Sequence, residues 1–423
     1  MTKEEIIKAA YQVWGREFYS HTSLSKLAAE LGVRKPALYR HFISKNALMD
    51  AMTRHFFNDF TAFIKRDYDK ALESEDKSGS IFSLIRVITE YYARNSDTFI
   101  YSMIQLHEHK MEKSNLSDEL RKRGVDFKNF HQSINKEYNF DSLIMRLLFS
   151  TLTFYVAGFH KMGKGQANHP DEGAISEICG IIGAIIGNGL GYINTEISSF
   201  DYDGLEKRIA GTADNITDDP LLKAVAGAVA EAGPWEASME QVARRSGLSK
   251  SSLYGHFKNR QDMLQQLFMT EFHRILDFAR QGIQQSPVPL ERLYLGIFSI
   301  AEYLRCKPDI LVALDWIRNR KLNFNPDEKK HPGPDIESLR LFDEIDIKPL
   351  LESESPFRKI LDRYMPDCGK EESIGISPWI LFLIVNTLMR KSHEKFMGKL
   401  SNEDIRTLFR FITLGVNGFK VNG

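Results

Sequence analysis

Two stretches of the chain decide its fold, because they repeat one another. Residues 23–48 read SLSKLAAELGVRKPALYRHFISKNAL, and residues 238–263 read SMEQVARRSGLSKSSLYGHFKNRQDM. At a constant offset of 215 positions, without a gap, eight positions are identical. They are Ser23/Ser238, Ala28/Ala243, Gly32/Gly247, Lys35/Lys250, Leu38/Leu253, Tyr39/Tyr254, His41/His256 and Phe42/Phe257. A match of this length indicates that the chain contains two copies of one unit.

The repeat extends beyond these blocks. Residues 88–97 match residues 300–309 at an offset of 212, the motif Met162-Gly163-Lys164 recurs at 397–399, and Asn188-Gly189 is matched with Asn417-Gly418. The offset between matching positions changes along the chain, as insertions in loops would make it change. The boundary between the copies is expected in the polar stretch 198–219. Each copy is predicted to hold a small N-terminal module and a larger helical domain. In copy one these are residues 1–48 and 49–200. A linker follows at 201–217, and in copy two they are residues 218–264 and 265–423.

Helical periodicity dominates both copies. Apolar residues at Ile6, Ile7, Ala10, Val13 and Trp14 follow the i, i+3, i+4 spacing of an amphipathic helix. Longer patterns of this kind cover residues 48–72, 81–95, 141–161, 263–285, 290–306 and 378–397. No alternating run rich in valine, isoleucine and threonine recurs between turn signals, so strands are not predicted. The expected fold class is all-α.

The composition is that of an ordinary globular protein without a global electrostatic field. The 423 residues include 56 basic and 56 acidic side chains, so only a local basic surface would attract nucleic acid. Cys179, Cys306 and Cys368 are far apart, which argues against a disulfide framework or a zinc site and fits a cytoplasmic protein. The N-terminus lacks the apolar core of a secretory signal. Neither a cofactor nor a metal is expected.

One run, residues 178–193, is interpreted as the only membrane-like segment. It is uncharged and mostly apolar, but it is shorter than the ~20 residues that a span requires. It also contains five glycines. The run is therefore predicted to be a buried packing helix, and no membrane partner is expected.

The repeated block has the signals of two short helices joined by a tight turn. Ser23 is placed to cap a helix over residues 24–30, Gly32 stands where a left-handed helix stop is expected, and Pro36 fits the first turn of a second helix. In the second copy the matching signals are a capping box, a turn glycine and a cap, at Ser238 with Gln241, Gly247 and Ser249. This pattern predicts a helix-turn-helix in each copy.

Positive charge concentrates in the same block of both copies. Between Glu30 and Asp50 the sequence contains no acid, but it contains Arg34, Lys35, Arg40 and Lys45. Between Glu240 and Asp262 there is again no acid, and the basic residues are Arg244, Arg245, Lys250, Lys258 and Arg260. A basic patch on a chain that is neutral overall is typical of a phosphate-binding surface.

The two blocks resemble the DNA-binding region of TetR-type transcriptional regulators. The resemblance implies a three-helix DNA-binding domain, a helical domain that binds a small-molecule effector, and a final pair of helices that forms a four-helix bundle between two subunits. In this chain the two subunits are joined, so the bundle is predicted to form internally, between helix 175–197 and a segment near 402–420. A single chain would then hold a pseudo-twofold axis; a homodimer of chains with four modules is the alternative.

The same resemblance implies which residues touch DNA. In copy one these are Ser25, Arg34, Lys35, Pro36, Tyr39, Arg40, His41 and Lys45. In copy two they are Ser249, Lys250, Ser251, Tyr254, His256 and Arg260. Arg40 can make a bidentate contact to guanine, whereas Gly255 at the matching position cannot contact a base with a side chain. The two modules are therefore expected to prefer unlike half-sites, and Leu38, Phe42, Leu253 and Phe257 are expected to be core.

Large residues on the middle helices are the candidates for an effector pocket. They are Tyr92, Phe99, Met103, Phe154, Tyr155 and Phe159 in copy one, and Trp316, Trp379 and Phe382 in copy two. The predicted function is a ligand-responsive repressor that binds an operator in double-stranded DNA. The alternatives are a helical small-molecule sensor whose DNA binding has been lost, and an enzyme. Arg123, Asp126 and His131 have no nucleophile at a useful spacing, so no catalytic residue is predicted.

Overall fold

The computed structural model describes residues 2–16, 23–108, 116–135, 137–138, 140–161, 171–192, 197, 199–213, 219–233, 236–321, 376–393 and 401–421. Throughout these residues the regular structure is helical, apart from one isolated antiparallel bridge between Tyr138 and Lys420. The all-α fold class is confirmed.

Copy one begins with three short helices and continues into a long one. Its helices are α1 Lys3–Arg16, α2 Leu24–Glu30, α3 Lys35–Tyr39, α4 Lys45–Glu73, α5 Lys77–Arg94, α6 Ser96–Glu108, α7 Leu116–Arg121, α8 Phe127–Ile134, α9 Ser142–Lys161 and α10 Glu172–Asn188. The predicted division at residue 48 falls inside α4, so one continuous helix joins the small module to the helical domain.

Copy two follows the same order after one additional helix. Its helices are α11 Tyr202–Ala213, α12 Pro220–Ala232, α13 Met239–Ser246, α14 Lys250–His256, α15 Arg260–Ile283, α16 Pro289–Cys306, α17 Pro308–Lys321, α18 Ile376–His393 and α19 Asn402–Leu414, which continues as a 3-10 turn over Gly415–Phe419. The segment predicted as a linker, 201–217, thus contains the helix α11. The predicted division at residue 264 falls inside α15.

The two copies pack against each other through their last helices. Helix α9 contacts α18 and α19, and α10 contacts α19 and the 3-10 turn after it. The Trp379 indole nitrogen donates a hydrogen bond of 3.2 Å to the Thr151 hydroxyl across this interface. The internal pairing predicted from the sequence is therefore present in the chain.

A reciprocal contact between two glycines lies at the centre of this interface. Gly189 ends α10 with a φ of 55°, and Gly415 ends α19 with a φ of 59°. A Cβ on Gly189 would overlap the Ile412 carbonyl oxygen, and a Cβ on Gly415 would overlap the Ile186 carbonyl oxygen. Gly189 and Gly415 are 226 positions apart, and so are Ile186 and Ile412, as a twofold relation between the copies requires. The sequence match of Asn188-Gly189 with Asn417-Gly418 was wrong by three positions, because the structure equates Gly189 with Gly415.

The structure also corrects the prediction about the apolar run 178–193. Helix α10 ends at Asn188, so the apolar run 178–193 continues past the end of its helix. Of the helices described, Ser142–His160 is the one that is long and apolar enough to cross a membrane by length and composition, and 61% of it is buried inside the structure. The prediction that 178–193 was the only such segment was therefore wrong. Helix α10 does pack as a buried helix, with Ile182 and Ile186 fully enclosed.

Helix α11 is fixed to copy two by a buried polar network. The Glu206 carboxylate accepts hydrogen bonds from the Tyr294 hydroxyl at 2.5 Å, the Asn402 amide at 2.6 Å and Arg406 Nε at 2.7 Å. Burial of this carboxylate would raise its pKa, but the hydrogen bonds from Arg406, Tyr294 and Asn402 outweigh burial and leave the pKa below its usual range. The helix that connects the copies is therefore anchored to both α16 and α19.

An acid–tyrosine pair recurs at the same place in the two helical domains. The Tyr91 hydroxyl donates to the Asp59 carboxylate at 2.9 Å, and the Tyr303 hydroxyl donates to the Glu271 carboxylate at 2.7 Å. Asp59 and Glu271 are 212 positions apart, and so are Tyr91 and Tyr303. This is the offset that the sequence shows between residues 88–97 and their match in copy two. Each pair joins the long helix that leaves the N-terminal module to the helix that follows it.

Candidate nucleic-acid interface

The first module forms from local capping signals. The Ser23 hydroxyl accepts a hydrogen bond from the Lys26 amide at 3.2 Å, which begins α2 at Leu24. Gly32 turns the chain with a φ of 64°, a conformation that glycine adopts without steric cost. Helix α3 then begins at Lys35, with Pro36 in its first turn. The predicted helix-turn-helix of copy one is present.

The second module forms from the same capping signals, and here both of its helices have a side-chain cap. Ser238 and Gln241 make the predicted capping box, in which each side chain accepts a hydrogen bond from the other residue's backbone amide. Gly247 adopts a left-handed φ of 71°, and the Ser249 hydroxyl accepts from the Ser252 amide at 3.0 Å. The chain therefore builds the same helix pair a second time.

A shared apolar layer holds the second helix of each pair in place. Leu38 and Phe42 are buried beneath α3, and Leu253 and Phe257 are buried beneath α14, as predicted. Because these side chains point inward, the opposite face of each short helix is turned to solvent. This is the arrangement that presents a recognition helix to a major groove.

The exposed face of copy one contains most of the predicted DNA contacts. Exposed side chains are those of Ser25, Arg34, Lys35, Pro36, Tyr39 and Arg40, whereas His41 and Lys45 are half-buried. The Lys35 ammonium lies 5.7 Å from the centre of the Tyr39 ring, a cation–π contact that orients both side chains. Burial lowers the pKa of Lys45. The arrangement gathers arginine and lysine donors around α3.

The exposed face of copy two is similar in shape but poorer in donors. Exposed side chains are those of Ser249, Lys250, Ser251, Tyr254, His256 and Arg260. A Cβ on Gly255 would meet no atom within 4 Å, so packing does not require glycine there. The difference between Arg40 in copy one and Gly255 in copy two therefore changes the exposed surface of the module and not its fold.

Two residues of the block differ from what the sequence alone indicated. Ile43, which follows α3, is 85% exposed although it is apolar, and it had not been singled out. Arg245 belonged to the predicted basic patch, but its guanidinium pairs with the Glu231 carboxylate of α12 at 2.5 Å. Its charge is therefore partly neutralised within the protein.

Each module contacts the helical domain of its own copy through its first helix. Helix α1 packs on α6, and α12 packs on α17. In copy one the Tyr11 and Tyr101 rings meet edge to face at 4.9 Å, and the Tyr101 hydroxyl shares a hydrogen bond of 2.7 Å with Thr53 of α4. A displacement of α6 would therefore act directly on both α1 and α4.

The predicted effector residues fall into two groups. Phe154 and Tyr155 of α9 lie against Phe382 and Trp379 of α18, at ring distances of 5.4 Å and 6.2 Å, so these four belong to the interface between the copies. The second group lies within copy one. The Phe99 and Phe159 rings contact the buried His160 ring, and His160 Nε2 shares a hydrogen bond of 2.9 Å with the Tyr92 carbonyl oxygen. Met103 contacts Thr153 of α9. The side chain of Trp316 lies outside the described part of the structure.

A separate apolar cavity opens within copy one, between α5, α8 and α9. Its volume is about 30 Å³, and its mouth opens to solvent. All its lining residues are apolar: Ile81, Leu84, Ile85, Ile88, Phe127, Phe130, Ile134, Met145, Leu148, Phe149 and Leu152. None of them was predicted as an effector residue, because the cavity forms only where three distant helices converge. The lining is apolar throughout, but the cavity is far smaller than the roughly 300 Å³ at which ligand pockets begin.

Comparison with known proteins agrees with the geometry of the two modules. Residues 6–52 and residues 221–267 each match the family described as "Bacterial regulatory proteins, tetR family". The chain is 25% identical over 163 residues to the biofilm operon icaADBC HTH-type negative transcriptional regulator IcaR of Staphylococcus epidermidis. The match covers 37% of this chain and 84% of that protein, so one relative corresponds to well under half of the chain.

Two solved structures are similar to part of the chain. The fatty acid degradation regulator FadR from Bacillus halodurans is 14% identical, with a TM-score of 0.29, over 46% of this chain and 97% of that one. The transcriptional regulator FadR from Bacillus subtilis, solved in complex with stearoyl-CoA, is 17% identical, with a TM-score of 0.28, over 45% of this chain and 96% of that one.

Proposed function

Since the chain carries two tandem DNA-binding domains of the TetR family, we propose that it is a sequence-specific repressor that binds an operator in double-stranded DNA in the cytoplasm. One observation carries the proposal. The same capped helix pair, with an exposed second helix next to basic side chains, occurs in both copies. Arginine and lysine at such a surface bind phosphates and base edges.

The proposed operator has two unlike half-sites. Arg34, Pro36 and Arg40 of one module stand where the other has Ser249, Ser251 and Gly255, so the side-chain donors offered to the bases differ. The contact between α10 and α19 supports a single chain that places both modules on one operator. A second chain is then unnecessary for binding.

The proposed effector is an uncharged apolar molecule or the apolar part of a larger one. The cavity between α5, α8 and α9 supports this, because its lining contains no polar side chain that would recognise a charge. Tyr92, Phe99 and Met103 stay candidates for contacts made after the pocket enlarges. Helix α5 leads into α6, and α6 packs on α1, so an occupant that displaces α5 would shift module one.

The test of DNA binding is a titration of the purified chain with sheared genomic DNA at two salt concentrations. Because basic side chains displace counterions from DNA, affinity should fall steeply as salt rises. Selection from a random DNA pool should then return a site with two different halves. Absence of binding at low salt would refute the repressor and leave the small-molecule sensor and the enzyme as alternatives.

A further inference from the structure

The two modules are attached to their helical domains by different side chains. In copy one, the Tyr11 ring of α1 meets the Tyr101 ring of α6, and the Tyr11 hydroxyl donates a hydrogen bond of 2.6 Å to the Met52 carbonyl oxygen. At the matching positions copy two has two buried alanines, Ala226 of α12 and Ala313 of α17. An alanine side chain can make neither contact, so other groups hold module two to its domain.

Small residues let α12 lie close to its neighbours. Every residue of α12 from Ala224 to Val229 is buried, and Gly227 lies within this stretch. A Cβ on Gly227 would be 2.8 Å from Arg245 Nη1 and 3.4 Å from Asp309 Oδ2. The Arg245 guanidinium of α13 and the Asp309 carboxylate of α17 therefore both reach the surface of α12 at this glycine, at most about 6 Å apart.

Arg245 links charges of the module and of the helical domain. Its Nη2 atom donates a hydrogen bond of 2.5 Å to the Glu231 carboxylate of α12, which fixes the side chain over its own module. Its Nη1 atom is the one beside Gly227. Asp309 stands in the first turn of α17 and belongs to the helical domain. Arg245 thus brings a positive charge of module two close to a negative charge of the domain.

Copy one has a different set of charges at this place. The residues at the matching positions are Gln12, Glu30 and Asp97. Two acids therefore stand where copy two has Arg245 and Asp309, and Gln12 is exposed although its counterpart is buried. Because like charges repel, Glu30 and Asp97 cannot make the attraction that is available in copy two.

From this geometry we infer that Arg245 and Asp309 form an ionic clasp that holds module two, and not module one, to its helical domain. Salt screens such a pair, because the Debye length falls from about 10 Å at 0.1 M to about 3 Å at 1 M. Concentrated salt therefore loosens module two selectively. Helix α14 belongs to that module, so the clasp also helps to fix the position of α14 relative to the helical domain.

Hydrogen–deuterium exchange of the full chain, followed by mass spectrometry, measures how readily each module opens. Exchange is recorded in sodium chloride at about 0.1 M and at about 1 M. In the parent, peptides of α12 and α13 should exchange about two- to fivefold faster at the higher salt, the effect of losing one surface ion pair. Peptides of α1 and α2 should show no such acceleration.

Three variants locate the effect. Arg245→Gln and Asp309→Asn should each remove the salt dependence of α12 and α13, and the double variant should change nothing more, since both substitutions act on one interaction. Arg244→Gln is the matched control, because it makes the same charge change one residue earlier in α13 and should keep the salt dependence of the parent. Thermal melts followed by circular dichroism check that all variants fold.

Three results would overturn the clasp. One is a parent whose α12 and α1 peptides respond equally to salt. Another is Arg244→Gln behaving as Arg245→Gln does, which would make the effect a general one of net charge. The third is Asp309→Asn keeping the full salt dependence, which would confine the attraction to Arg245 and Glu231 within the module. None of these measurements uses DNA, so failure of the proposed function would leave them unchanged.

Discussion

Substitution of Gly189 by alanine tests the interface between the copies most directly. The added methyl group would overlap the backbone of Ile412, and also that of Leu414 and Gly415, none of which can rotate away. The backbone at Gly189, with a φ of 55° and a ψ of −131°, is itself strained for any residue with a Cβ, at about 1–3 kcal/mol.

Relief of the overlap requires the two helix ends to separate. Separation breaks the hydrogen bonds from the Leu190 amide to Ile412 at 2.8 Å and from the Tyr192 amide to Thr413 at 3.1 Å. Each is worth about 0.5–1.5 kcal/mol. With the backbone strain, we expect Gly189→Ala to lower the free energy of unfolding by about 2–6 kcal/mol.

The matched control is Gly183→Ala in the same helix. A Cβ there would meet no atom within 4 Å, and alanine is the better helix former, so this variant should be neutral or up to about 1 kcal/mol more stable. Urea unfolding followed by circular dichroism and tryptophan fluorescence measures both, because Trp379 lies in the interface. If the two variants agree within about 0.5 kcal/mol, the close approach of the two chain segments is refuted.

Three further predictions concern charge. Lys45→Ala and Arg260→Ala should each weaken binding to all DNA sequences and reduce the slope of log affinity against log salt by about one unit; unchanged slopes would remove them as phosphate contacts. Arg40→Gly should relax base preference in one half-site by about 1–3 kcal/mol, and a repeated selection that returns the parent site would contradict this. Arg406→Ala should lower the free energy of unfolding by about 2–3 kcal/mol at pH 7, less than for a fully buried pair because Arg406 is 24% exposed. The folded-state pKa of Glu206 is depressed, so its ion pair stabilises the fold above the ordinary carboxylate pKa and is lost as the pH falls through the folded value. The loss caused by Arg406→Ala should therefore stay constant from pH 7 down to the ordinary carboxylate pKa and shrink below it, in unfolding curves recorded from pH 7 to about pH 2; a loss that does not shrink below about pH 4 would contradict the role of that charge.

The helix-turn-helix could be predicted from the sequence because its determinants are local. A cap at Ser23 or Ser238, a glycine at 32 or 247 and an apolar face over one turn each act within a few residues. These features need no knowledge of distant parts of the chain. The pairing of the copies was predicted in another way, from the resemblance to a family whose last helices pair between two subunits.

What could not be predicted depends on residues far apart in the sequence. The close approach of Gly189 to the Ile412 backbone, more than two hundred positions away, has no sign in the apolar run itself. The cavity of copy one has walls from three helices, and each wall residue on its own has the pattern of ordinary core. Glu206 was not singled out, because its partners Asn402 and Arg406 lie at the other end of copy two.

The contact of α10 with α19 has a consequence for how the protein behaves in a cell. Two subunits of a dimeric regulator separate when they are dilute, so their activity depends on how many molecules are present. Here both partners belong to one polypeptide, and their effective concentration is set by the connecting chain and by helix α11, not by the number of molecules. In the proposed single-chain arrangement, one molecule made at low abundance is already a complete pair. Each half is also free to change on its own, because a substitution at Gly189 leaves Gly415 untouched, whereas in a homodimer every mutation is made twice.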